Sequence, residues 1–180
     1  MQSNVKLSTH CPACSNEKAT LEFFQFEIPY FGEVMESVLL CRRCGYRHTD
    51  VMVLEQREPA RYTLVIESAE DMYIRVIRSS SATIKVPELG IEVTPGSEAQ
   101  GFISNVEGVL LRMEEAVQTA ERWAESEAAK KRAKELLRKI AEIKAGKRRA
   151  TLIISDPTGN SAIISEKARK EVLSEDSTGE

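Results

Sequence analysis

Four cysteines stand at Cys11, Cys14, Cys41 and Cys44, and the chain has no others. Each pair has the C-x2-C spacing, and 26 residues separate the pairs. Two thiolates at that spacing close a tight turn around one ion. Two such turns supply the four sulfurs that tetrahedral zinc takes in a structural site. Paired disulfides are the first competing chemistry, and they suit a secreted chain. Residues 1–7 are polar, however, without the apolar stretch of a signal peptide. No run of 18 apolar residues exists, so no membrane span is expected and the compartment reads as a reducing cytoplasm. A redox pair is the second competitor, but such a pair opens a helix in a βαβ unit, and neither turn here does. The expectation is one structural Zn2+ held by all four thiolates. A closed shell of four sulfurs leaves no position for water, so no chemistry is expected at the metal.

The remaining side chains offer little catalysis. His10 and His48 are the only histidines and are redundant as ligands once four thiolates are present. No G-x-x-x-x-G-K stretch occurs, and no nucleophile can be matched with a histidine base and a carboxylate. The chain therefore reads as a non-enzyme.

Two clusters have the chemistry of contact surfaces. Phe23, Phe24, Phe26, Tyr30 and Phe31 lie between the cysteine pairs. A zinc ribbon is too thin to bury them all, so they either pack the ribbon onto a neighbouring domain or face a partner. Within them Ile28, Pro29, Tyr30 and Phe31 form the candidate contact, because Pro29 forces a bend that would present two rings. Around the second pair, Arg42, Arg43, Tyr46, Arg47 and His48 form a basic and aromatic tip. It suits an acidic protein surface or a nucleic acid, against the alternative of plain solvated charge. Arg43, Tyr46 and Arg47 are its candidate contact residues.

The elements that must position these groups follow from period and punctuation. Residues 20–28 (TLEFFQFEI), 36–40 (ESVLL) and 49–54 read as strands feeding the cysteine turns, which makes a zinc ribbon over 1–55. Gly45 suits the positive φ of the second turn. Short strands at 61–67, 73–78, 82–86 and 91–94, separated by Ser, Pro and Gly, suggest a sandwich or barrel. The period then changes. Phe102, Val106, Val109, Leu110, Met113, Val117 and Ala120, then Leu136, Leu137, Ile140 and Ile143, recur at three and four. This predicts helices at roughly 102–123 and 127–145, folded as a hairpin over about 100–146, with one long helix as the alternative. Ser126 would cap the second helix and Gly146 would end it. Residues 150–155 and 161–165 return to β as a hairpin around Asp156-Pro157-Thr158-Gly159-Asn160, which cannot stand alone and is expected to pair with the earlier strands. The helices are then an insertion into one β domain spanning 56–165. Residues 166–180 read as a polar tail, disordered at its acidic end.

The chain has 180 residues, 42% hydrophobic and 29% charged, with net charge −3, which suits a soluble domain plus a small metal module and gives no overall pull toward nucleic acid. Residues 121–149 are the exception, with eleven Lys or Arg against five Glu, a surplus of six. That surplus keeps a nucleic-acid-binding zinc ribbon as the alternative function.

Several motifs together resemble the ZPR-type zinc-finger proteins. They are Cys11-Pro12-Ala13-Cys14, Ile28-Pro29-Tyr30-Phe31, Glu33-Val34, Cys41-Arg42-Arg43-Cys44-Gly45-Tyr46-Arg47 and Asp156-Pro157-Thr158-Gly159-Asn160-Ser161, in the family's order over about 10–165. Eukaryotic members look like two such modules in tandem, and this single module resembles the archaeal relatives. The resemblance implies a zinc ribbon joined to a double-stranded β-helix (jelly-roll-like) domain carrying an inserted helical hairpin. It also implies a protein-binding role, as an adaptor or folding chaperone for translation elongation factor 1-alpha. A two-module grip would require a homodimer of a one-module chain, or a reduced role.

Overall fold

The computed structural model describes residues 3–28, 32–54, 57–96 and 99–173. The first four strands are β1 (Ser3–Thr9), β2 (Ala19–Ile28), β3 (Gly32–Leu40) and β4 (Arg47–Val53), and they form one antiparallel sheet in chain order. The cysteine turns join β1 to β2 and β3 to β4. Both therefore fall at the same end of the sheet, as the ribbon reading requires. β1 is an addition to that reading: Ser3–Thr9 holds only two apolar residues, Val5 and Leu7, too weak a pattern to declare a strand.

The second domain is built from two further sheets. β5 (Ala60–Ile66), β7 (Thr83–Val86), β8 (Ile91–Val93), β10 (Ala150–Asp156) and β12 (Arg169–Val172) form one, in the order β12-β5-β10-β7-β8. β6 (Arg75–Arg78), β9 (Phe102–Asn105) and β11 (Ala162–Ile164) form the other, in the order β11-β6-β9. All pairings are antiparallel. This is the jelly-roll expected. Its interior is filled by fully buried Leu64, Ile66, Val76, Ile77, Leu152 and Ile154, drawn from both sheets. β5 and β10 alternate buried and less buried residues with the strand period, which turns one face of each inward.

Four details differ from the sequence reading. Residues 150–155 and 161–165 do not pair with each other: β10 sits in the larger sheet and β11 in the smaller, so the Asp156–Asn160 turn carries the chain from one sheet to the other. Phe102 opens a strand, not a helix, because Asn105 caps the helix start, its Oδ1 accepting from Gly108 N at 2.8 Å. Tyr73 ends a short 3-10 turn (Ala69–Tyr73), so β6 begins at Arg75. Within the expected tail, Arg169–Val172 forms the edge strand β12 against β5.

The inserted hairpin is as expected. α1 (Val106–Trp123) and α2 (Glu127–Lys144) are separate helices, and Ser126 Oγ accepts from Ala129 N at 3.2 Å at the start of the second. Val109, Leu110, Met113, Ile140 and Ile143 carry their buried stripe into the domain core.

A backbone seam joins the two domains. Gly101 N donates to Thr49 O at 2.9 Å, Gln100 Nε2 to Arg47 O at 2.9 Å, and Ser80 N to Asp50 Oδ1 at 3.2 Å. A Cβ at Gly101 would lie 2.7 Å from Val51 N, so only glycine allows this approach. Ile28, Val34 and Val51 pass from the ribbon into the jelly-roll core. The core-facing aromatic alternative thus holds for Phe26, which packs on the same core.

Candidate functional site

The two cysteine turns repeat one backbone geometry. In the first, Ser15 N donates to Cys11 O at 2.8 Å and Cys11 N to Asn16 O at 2.9 Å. In the second, Gly45 N donates to Cys41 O at 2.9 Å and Cys41 N to Tyr46 O at 2.8 Å. Each turn needs a left-handed residue directly after its second cysteine. Gly45 meets that need at φ 78°, and Ser15 at φ 55°.

The four sulfurs converge. Cys11 Sγ lies 3.7 Å from Cys44 Sγ, and Cys14 Sγ 3.7 Å from Cys41 Sγ. All four lie within 4.8 Å of one another. A disulfide needs about 2.05 Å, so these thiols are unpaired. Tetrahedral ligands about 2.3 Å from one zinc stand about 3.75 Å apart, which the short separations match. The donor set is that of one structural Zn2+. Cys11 and Cys41 are buried, and Ala19, Leu39 and Tyr46 pack around them.

Hydrogen bonds prepare the sulfurs for a cation. The N–H of Cys44, with help from the Asn16 amide, outweighs burial and draws the Cys41 thiol down to about 6. Asn16 Nδ2 stands 3.6 Å from that sulfur. At Cys44 the N–H of Tyr46 works downward, but the neighbouring thiols and burial push the group up to about 12. Four sulfurs this close cannot all ionise without a positive ion among them. Asn16 was not singled out by cysteine spacing. Its signal is positional: it occupies in the first turn the place that Tyr46 occupies in the second.

The candidate contact residues are scattered. Ile28 is 2% exposed in the jelly-roll core and offers no surface to a partner, a correction to its reading as part of a presented bend. Pro29, Tyr30 and Phe31 lie outside the described residues. Arg43 and Arg47 are exposed, while Tyr46 is half-buried against the sulfurs. The exposed part of the basic tip is therefore Arg42, Arg43 and Arg47.

Of the eleven cations in 121–149, six are paired. Lys130, Arg138, Lys139, Lys144, Arg148 and Arg149 each lie against a glutamate. Four of these pairs use glutamates of the same stretch and only Glu114 and Glu67 come from outside it, so the hairpin is a salt-bridged face that keeps a net positive charge.

A second surface was not legible from patterning. Val5 and Leu7 of β1, Phe23 of β2, Met35 of β3 and Met52 of β4 fall on the sheet face opposite Ile28, Val34 and Val51. Val5 and Leu7 are each 51% exposed and Met52 39%. The ribbon thus has one face on the core and one apolar face open.

The Asp156 turn is a structural site. Asp156 is fully buried and accepts from Ser161 Oγ at 2.5 Å, Ser79 Oγ at 2.7 Å, Ser81 Oγ at 2.9 Å, and Thr158 N and Oγ1 at 2.8 Å. Burial alone would raise its pKa, but these donors outweigh it and hold the carboxyl below the usual carboxylate range. The network ties the corner from β10 to the loop between β6 and β7.

Comparison with known proteins agrees with both domains. The ZPR1 zinc-finger domain matches residues 5–58, and the ZPR1 jelly-roll domain matches residues 70–177. An uncharacterized ZPR1-like protein of Methanocaldococcus jannaschii is 51% identical over 167 residues, covering 92% of this chain and 84% of its own length. A ZPR1-like protein of Pyrococcus horikoshii is 49% identical over 171 residues, covering 92% and 76%. Zinc finger protein ZPR1 of Bos taurus is 32% identical over 166 residues, which is 90% of this chain but 36% of the bovine protein. A zinc finger chaperone of Schizosaccharomyces pombe is 34% identical over 105 residues, 57% of this chain and 22% of its own. Among the described residues no helix is long and apolar enough to cross a membrane.

Proposed function

The chain belongs to the ZPR1 family, and from that membership we propose that it is a non-enzymatic protein-interaction factor, an adaptor or folding chaperone for translation elongation factor 1-alpha in the cytoplasm. The observation that carries this reading is the pairing of a closed four-thiolate centre with a jelly-roll joined to it through shared core and backbone. The metal's work is then mechanical: it holds a contact surface in shape. The fission-yeast relative named a zinc finger chaperone supports the same direction. The animal relatives are far longer than the segment matched here, so their wider roles enter only as proposals.

The contact would include Arg43, Tyr46 and Arg47 of the basic tip, together with Pro29, Tyr30 and Phe31. A chaperone of a GTPase must bind the immature or GDP-like client better than the mature GTP form, or maturation would not release it. The test is capture of the elongation factor from native lysate on the zinc-loaded chain, with GDP or with a non-hydrolysable GTP analogue. Recovery with GDP and loss with the analogue is expected. Absence of the factor under both conditions removes the reading.

A further inference from the structure

The jelly-roll bears a groove of about 570 Å³ between α1 on one side and β8 and β9 on the other. Its walls are apolar: Ile91, Val93, Phe102, Val109, Met113 and Val117. The ionisable residues lining it are both arginines, Arg78 and Arg112, with no carboxylate.

Neither guanidinium forms an ion pair with a carboxylate among the described residues. Arg78 is 6% exposed, and its donors go to carbonyls: Nε and Nη2 to Ala82 O at 3.2 and 2.9 Å, and Nη1 to Gln100 O at 2.8 Å. A guanidinium has five N–H donors, so two are left over. Arg112 is exposed, lies 4.3 Å from the centre of the Phe102 ring, and pairs with no carboxylate among the described residues. Arg78 approaches the same ring at 5.8 Å. Two like charges thus share one aromatic ring. Burial, then the charge of Arg112, lower the pKa of Arg78, and Asp156 offsets this only through space. Positive charge on an apolar groove, with the Arg78 guanidinium shielded from water and Arg112 at the opening, fits an anion that brings apolar surface with it.

The backbone favours a polypeptide as the source of that anion. β8 ends the five-stranded sheet, and no described strand pairs on its outer side. An edge of this kind can accept an added strand.

We infer that this groove docks a segment of a partner protein in which one carboxylate is flanked by apolar side chains, the carboxylate meeting Arg112 above Phe102. This rests on the reading of the chain as a protein-interaction factor and places a contact site on the jelly-roll, beside its seam with the ribbon.

A random 12-residue peptide library selected on the immobilised, zinc-loaded full chain tests it. The expected result is enrichment of sequences with Asp or Glu between apolar residues. Arg112→Glu is an exposed helical substitution whose fold is checked by circular dichroism. It should weaken an enriched peptide about tenfold or more. Replacing the peptide's carboxylate by lysine should restore binding to that variant and not to the wild type. Enrichment without an acidic position, no enrichment, or binding indifferent to Arg112 overturns the proposal. So does dodecanoate binding that depends on Arg112 while no peptide is enriched, because the groove would then hold a lipid carboxylate. Loss of elongation-factor capture with intact peptide selection would sink the function above and leave this site standing.

Discussion

The ribbon and the jelly-roll solve the problem of staying folded in opposite ways. Among the described residues, twenty-five buried ones form one continuous core in and beneath the jelly-roll. At the cysteine end of the ribbon the buried cluster among the described residues is Cys11, Ala19 and Cys41. One region is held by burial, which is spread over many residues and fails gradually under single substitutions. The other is held by a few bonds to one ion, which fail together. The ribbon is moreover divided against itself: Ile28, Val34 and Val51 at its far end belong to the jelly-roll core, so only its cysteine end depends on metal.

Metal removal should separate the two regions most sharply. Structural zinc is worth about 10–16 kcal/mol of apparent binding energy. A strong chelator, or Cys41→Ser, should abolish amide-exchange protection in the cysteine turns and adjacent strand ends, while β5 and β10 stay protected. Simultaneous loss in both regions would show that the jelly-roll leans on the ion too. The reciprocal experiment is Leu152→Ala, at a fully buried position. It should lower stability in urea by about 2–5 kcal/mol with zinc stoichiometry unchanged.

A third comparison uses acid. The folded pKa of Asp156 lies below its unfolded value, so its ionised form contributes stability above the unfolded carboxylate pKa. That contribution is lost as pH falls through the folded value. Asp156→Ala should flatten this acid limb of jelly-roll stability, and should cost about 1–3 kcal/mol at neutral pH for each hydroxyl left without a partner. An unchanged acid limb would move the titration to another carboxylate, such as Asp71, whose pKa is also lowered.

The smallest effect compares the two turns. Ser15 and Gly45 sit in the same left-handed position. Ser15→Gly should stabilise the zinc-loaded ribbon, and Gly45→Ala destabilise it, each by about 1 kcal/mol. Competition with a chromophoric chelator would read both, and equal responses in sign would break the equivalence of the turns.

These contrasts also explain what the sequence disclosed. The metal centre was legible because C-x2-C is local chemistry: spacing alone brings two sulfurs to one turn. The helices were legible from Val106 to Ile143 because their stripe repeats within each turn. Phe102 continued that stripe by coincidence, and only Asn105, a cap residue, marked the boundary. The change of sheet between β10 and β11 was hidden, since turn residues specify a bend and not the strands on either side of it. β12 (Arg169–Val172) was hidden because an edge strand needs little apolar content when its pairing partner, β5, is already in place. The open apolar face of the ribbon required the register, since Val5, Phe23 and Met35 are neighbours only across strands.

The short stretch from Gln100 to Phe102 touches both β4, directly after the second cysteine turn, and Arg78 in the apolar groove. Thermodynamic reciprocity then requires that if the ion tightens the groove's hold on a guest, the guest tightens the sulfurs' hold on the ion by the same factor. Under that condition, a guest held in the groove would make the ion harder for a competing chelator to remove at equilibrium.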